Sequence, residues 1–151
     1  NALVKARHAS RATGLAALAD DSGLCVESLG GDPGVHSAYY AGREGGRHER
    51  DPRNNTRLVS QLRDQINRCA FYYCVLVLVH SATDPTPLVA EGRWHGEIVL
   101  DPRGEGGFGY DPHFVPRGSH LTAAQMPAEE KNRASHRAQA LAALARSLRA
   151  A

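Results

Sequence analysis

Cys69-Ala70-Phe71-Tyr72-Tyr73-Cys74-Val75-Leu76-Val77-Leu78-Val79-His80 is the strongest strand signal in the chain. Aromatic and β-branched side chains suit a pleated surface, and the nearly unbroken apolarity predicts burial on both faces. Working outward, Ser81 to Pro87 reads as a turn and Leu88 to Trp94 as a returning strand, which predicts an antiparallel hairpin. Trp94 to Val99 continues extended, and His113 to Pro116 is a further short strand. On the N-terminal side, Leu15 to Ala19 reads as a short buried strand. It runs into Asp20-Asp21-Ser22-Gly23 before Leu24-Cys25-Val26 resumes.

Helices alternate with these strands. Asn1 to Thr13 has helical apolar spacing and ends at Gly14. Gly42 to Arg53 is rich in glycine and charge and reads as a mobile surface loop, followed by an amphipathic helix over 54–67 with Leu58, Leu62 and Ile66 on one stripe. Pro127 opens a helix at its first position. Ser135 caps a last helix from His136 to about Arg149, with Leu141, Leu144 and Leu148 as its core stripe. The expectation is a single mixed α/β domain over residues 1–151.

Composition narrows the function classes. A chain of 151 residues with 42% hydrophobic content supports one well-cored domain. A formal charge of +2 gives no bulk electrostatic case for nucleic acid or for an anionic membrane. Arg137, Arg146 and Arg149 share the last helix with an apolar stripe, which argues against a DNA-binding face. No apolar run is long enough to span a bilayer. Cys25, Cys69 and Cys74 form no CxxC pair and are expected as reduced, buried thiols of a cytoplasmic protein. The eight histidines are scattered without metal-binding spacing, so no zinc is expected. The chain opens on Asn1 already inside a helix, and the natural protein is expected to carry a further N-terminal piece.

Two stretches carry chemistry. Asp20 and Asp21 at a strand end are costly to bury unless paired, hydrogen-bonded or bound to a cation, and carboxylate oxygens suit Mg²⁺. An Asp-Ser-Gly turn explains them equally well. Gly106-Gly107-Phe108-Gly109-Tyr110-Asp111-Pro112 combines turn-forming glycines with a stacking face at Phe108 and acceptors at Asp111, as reading a nucleobase requires. The plainer alternative is a tight turn with an aromatic anchor. His136 and Arg137 occupy the first turn of the last helix, where cations oppose the helix dipole, so a ligand at that end would explain them better. Lys5 and Lys131 are placed to hold phosphate charge.

With these motifs in order along essentially the whole chain, the sequence resembles the inosine triphosphate pyrophosphatases (the RdgB type). Asn1 to Ala6, Ala19-Asp20-Asp21-Ser22-Gly23-Leu24, Gly30 to Gly34, Gly106 to Pro112, Glu130-Lys131 and Ser135-His136-Arg137 carry the resemblance. It implies a long, mixed, twisted β-sheet flanked by helices, two lobes with a cleft, a homodimer, and Mg²⁺-dependent hydrolysis of ITP, dITP or XTP to monophosphate and pyrophosphate. It gives Asp21 the roles of catalytic base and metal ligand, with Asp20 in support and Ser22 on the substrate. Lys5 and Lys131 hold phosphate, Phe108 stacks on the purine with Gly109, Tyr110 and Asp111 completing its pocket, and His136 with Arg137 reads the 6-oxo group. Family members begin with a strand and a T/S-x-N-x-x-K loop, and this chain starts after them. Tyr39 stands where the family leads one to expect Arg. A non-catalytic nucleotide-binding or interaction fragment is therefore the rival reading, with nucleic acid and membrane excluded as partners.

Overall fold

The computed structural model describes every residue from Asn1 to Ala151. Helix α1 (Ala2–Thr13) stops at Gly14, whose φ of 71° is a left-handed conformation that glycine adopts without a Cβ clash. Then follow β1 (Ala17–Val26), α2 (Arg47–Leu62), β2 (Cys69–Val79), β3 (Leu88–Ile98), β4 (Phe114–Pro116), α3 (Ala128–Ala134) and α4 (His136–Ala150). Short 3-10 turns cover Glu27–Leu29, Gly34–Tyr39 and Asp111–His113. The strands form one antiparallel sheet in the order β1-β2-β3-β4, flanked by helices. Strands β3 and β4 pair Gly96 with Pro116, Glu97 with Val115 and Ile98 with Phe114.

The chain divides into two compact units, one of Asn1–Ser22, Tyr73–Arg93 and Asn132–Ala151, the other of Gly23–Tyr72 and Trp94–Lys131. In the first, the two-residue period of β2 supplies two apolar faces. Cys74 and Leu76 pack with Ala90, Ala140 and Leu144. Val77 and Val79 pack on α1 through Ala2 and Ala6, joined by Ala17 and Ala19 of β1. Each fully buried Val or Leu contributes about 1.5–3 kcal/mol, so β2 has stabilising partners on both sides. Asp84 closes the β2–β3 turn by accepting the His80 and Thr86 backbone N–H groups, each at 2.8 Å. The second unit is built on Leu24, Val26, Leu58, Leu62, Ile98 and Phe114. There Phe114 meets Tyr72 edge-on at 4.7 Å and Trp94 at 5.4 Å between ring centroids.

Several boundaries differ from the sequence reading. Residues 17–26 form one unbroken strand, so Asp20 to Gly23 are strand residues and not a turn. Helix α2 begins at Arg47, inside the stretch expected as a loop, because the Glu49 carboxylate accepts the Gly46 N–H at 2.7 Å and caps the helix start. It ends at Leu62, leaving Ile66 fully exposed while Leu58 and Leu62 stay buried. Along α4 the buried line is His136, Ala140 and Leu144, a four-residue spacing, and Leu141 and Leu148 are exposed. All three cysteines are free, but only Cys74 is buried, and Cys69 is exposed.

Candidate active site

In the first unit, the alternation of β1 sorts its polar residues between two helices. Ala17, Ala19 and Asp21 share one face, and the two alanines pack against α1. Asp21 accordingly meets Lys5 of α1, whose Nζ donates to Oδ1 at 2.7 Å and also to the Asp20 carbonyl at 3.1 Å. Asp20 and Ser22 take the other face. Arg137 of α4 donates through Nε to Asp20 Oδ2 at 3.0 Å. Burial pushes the nearby Cys74 thiol up, against a hydrogen bond from Ser22 and the charge of Arg137.

Each carboxylate is therefore bracketed by a cation from a different helix, and both remain partly exposed to water. Such pairs are worth little as stabilisation. Their value is to fix one anion on each face of the strand, each against its own cation. No group of three or more His, Cys, Asp or Glu gathers in the structure. A single carboxylate on each face fits a divalent cation that takes one carboxylate and completes its shell with water and substrate oxygens, as Mg²⁺ does. It does not fit an all-protein cage.

Arg137 and His136 are positioned by the start of α4, where Ser135 Oγ accepts the Ala138 N–H at 3.3 Å. Gly92 of β3 sets how closely this helix approaches. A Cβ there would stand 2.0 Å from the His136 carbonyl oxygen and 2.6 Å from the Ala140 nitrogen. His136 is buried and Arg137 half-exposed. The carboxylate partner of Arg137 also answers why a cation sits in a helix's first turn.

In the second unit, the glycine-rich stretch presents one residue and uses the others to hold it. Phe108 is 44% exposed, whereas Tyr110 and Asp111 are buried. Asp111 Oδ1 accepts from the Tyr72 hydroxyl at 3.0 Å, and Oδ2 accepts from the Phe108 N–H at 3.0 Å and from Lys131 Nζ. The acceptors expected to face a ring edge are thus engaged by the protein. Gly107 has φ +71°, and a Cβ on it would lie 2.2 Å from Asp111 Oδ2, so only glycine fits. The Tyr110 hydroxyl donates to the Ser37 carbonyl at 2.7 Å, and burial raises its ionisation far above the ordinary tyrosine range. Gly109 is tied to α2 through its N–H on Asp51 (2.8 Å) and its carbonyl on Asn55 (3.0 Å). Tyr39 lies against the guanidinium groups of Arg43 and Arg50, each 4.7 Å from its ring centroid.

The sequence does not single out Tyr72, Asp51, Asn55 or Gly92, which hold the candidate residues in place. Tyr72 is hidden in an apolar strand, and Gly92 carries no signal without its neighbour across 44 to 48 positions. Asp51 and Asn55 do have one, a helical four-residue spacing, which the misplaced start of α2 obscured.

The Ham1 family profile matches residues 1–147. The chain belongs to the Ham1 family. Among curated proteins, a dITP/XTP pyrophosphatase of Chromobacterium violaceum is 61% identical over 150 residues, covering 99% of this chain and 74% of its own. One from Burkholderia pseudomallei is 63% identical over 144 residues, covering 95% and 69%. Among solved structures, a HAM1 protein from Coxiella burnetii superposes with a TM-score of 0.91 at 44% identity, covering 99% of this chain and 75% of that one.

Proposed function

We propose that this Ham1 chain is a nucleoside triphosphate pyrophosphatase that hydrolyses deaminated purine nucleoside triphosphates, dITP, ITP and XTP, to the monophosphate and pyrophosphate. The observation that carries the reading is the pair Asp20 and Asp21, neighbours on one strand whose carboxylates are bracketed by Lys5 and Arg137. The relatives' activity supplies the substrate class.

Mg²⁺ is the proposed cation; when bound, it neutralises phosphate charge and makes pyrophosphate a better leaving group. Asp21, the proposed metal ligand and base, uses Oδ1 on Lys5 and has Oδ2 to take a proton from the attacking water. Lys5 is free to exchange between Asp21 and a phosphate oxygen, since both are anionic acceptors. Asp20 fixes Arg137, and Ser22 contributes a hydroxyl beside it. Lys131 is the second proposed phosphate holder. In the second unit, Phe108 offers the stacking face, with Gly109, Tyr110 and Asp111 fixing its place. His136 and Arg137 are the proposed donors to the purine 6-oxo group; adenine, with an amino group at that position, leaves them without an acceptor. A homodimer and a cytoplasmic location belong to the same proposal. No helix is long and apolar enough to cross a membrane.

The test is pyrophosphate release from XTP, dITP, GTP and ATP, with Mg²⁺ and with EDTA. Cleavage of XTP and dITP well above GTP and ATP, only with Mg²⁺, is expected. No pyrophosphate from any of the four overturns the enzyme reading in favour of a binding module.

A further inference from the structure

Three residues of α2 at four-residue spacing, Arg47, Asp51 and Asn55, lie on one face of that helix, and all three meet the stretch 108–109. Asp51 accepts the Gly109 N–H at 2.8 Å, Asn55 donates to the Gly109 carbonyl at 3.0 Å, and the Arg47 guanidinium lies over the Phe108 ring, 5.0 Å from its centroid. Lys131 Nζ lies 5.2 Å from the centroid of the same ring. The exposed aromatic therefore has two cations near its ring, yet the two are not equivalent. Lys131 is neutralised by the buried Asp111. Arg47 is exposed, at the first position of its helix, and brings its full charge to the ring.

We propose that Arg47 is a specificity-determining residue that favours xanthine over hypoxanthine nucleotides at Phe108. The inference rests on the reading of Phe108 as the base platform. Any purine stacked on that ring comes within the field of Arg47, and the purines differ in charge. Hypoxanthine is neutral at neutral pH. Xanthine, with oxygens at both C2 and C6, loses a ring proton near neutrality and stacks in part as an anion. A guanidinium beside the platform is attracted to that anion, and its planar, weakly hydrated group suits the edge of a flat ring. Because Arg47 is exposed, the gain is modest and screened by salt.

The experiment measures binding of XMP and IMP by calorimetry, and kcat/KM for XTP and ITP, in the wild type, Arg47→Gln, Phe108→Ala and Arg63→Gln. Arg63 is exposed just beyond α2 and controls for loss of one positive charge. Expected is a fall in the XMP:IMP affinity ratio of about two- to fivefold in Arg47→Gln, the size of an exposed charge pair, appearing in KM and not kcat. The wild-type ratio falls towards the variant's as salt rises, and Arg63→Gln leaves it unchanged. If Phe108→Ala weakens both nucleotides while Arg47→Gln leaves their ratio unaltered, the platform reading stands and this inference is overturned. If Phe108→Ala leaves both affinities unchanged, the platform reading fails and takes the inference with it.

Discussion

The Tyr72 hydroxyl donates to Asp111 Oδ1 at 3.0 Å inside the second unit, from a strand position that packs its ring against Phe114. This bond determines how the glycine-rich stretch is held. Asp111 is a buried anion whose other oxygen serves both the Phe108 backbone and Lys131. A buried carboxylate with charge-assisted bonds on each oxygen is tolerable, and one deprived of a donor is not.

Tyr72→Phe is accordingly expected to cost about 1–3 kcal/mol, the desolvation penalty of an acceptor left short of its donor. Urea denaturation measures it. Because the loop carrying Phe108 loosens with it, affinity for purine monophosphates falls as well. Retention of full stability would mean that Asp111 is held by Lys131 and the backbone alone.

The same hydroxyl sets an alkaline limit. Burial, then the charge of Asp111, raises Tyr72 well above the ordinary value of 10.0, and burial raises Tyr110. Both groups hold their protons more tightly folded than unfolded. The stability they contribute is fully present below the unfolded value, and it declines as pH rises above 10 towards the folded values. Denaturation midpoints between pH 8 and 11 should fall more steeply in the wild type than in Tyr110→Phe, once each is referred to its own value at pH 8.

Asp21→Asn tests the chemistry with little structural disturbance. The Lys5 pair is largely exposed, so stability should change by less than about 1 kcal/mol. If Asp21 is the general base proposed above, its loss lowers kcat by about 10²–10⁴. Asp20→Asn should lower it less, because that carboxylate acts through Arg137, which it holds in place, and not on the attacking water. Equal losses in the two variants, in steady-state pyrophosphate release, would remove the distinction in roles.

How much of this was legible in the sequence varies with the range of the interaction. The burial of β2 on both faces and the Ser135 cap of α4 follow from local residue types, and both were readable. The start of α2 was readable in principle from Glu49 three positions after Gly46, but glycine and charge around it suppressed the helical signal. Carboxylates on an apolar strand and an aromatic among glycines single out Asp20, Asp21 and Phe108 as candidates from the sequence, and the structure adds that each carboxylate meets a cation and that Phe108 is exposed. The partners of Asp111 were not readable. Tyr72 lies 39 positions away and is spelled like any other strand residue. The sequence alone turns Asp111 towards a base, whereas its oxygens face the protein.

Gly92 gives the sharpest test of how α4 is placed. The atoms a Cβ would meet there, the His136 carbonyl at 2.0 Å and the Ala140 nitrogen at 2.6 Å, are helix backbone and not the flexible end of a side chain. Gly92→Ala cannot be absorbed by a rotamer change, so the N-terminal turn of α4 must move away from β3. Overpacking of this kind costs about 1–3 kcal/mol. The displacement carries Arg137 off Asp20, whose bond is made from that turn. The expected result is a stable but impaired variant, with a loss in kcat/KM larger than its loss of stability explains. Ala140→Gly in the same chain removes only a Cβ and leaves the helix nitrogen in place, so it should not rescue activity. Rescue by it would show that side-chain crowding, and not the backbone approach, fixes the helix.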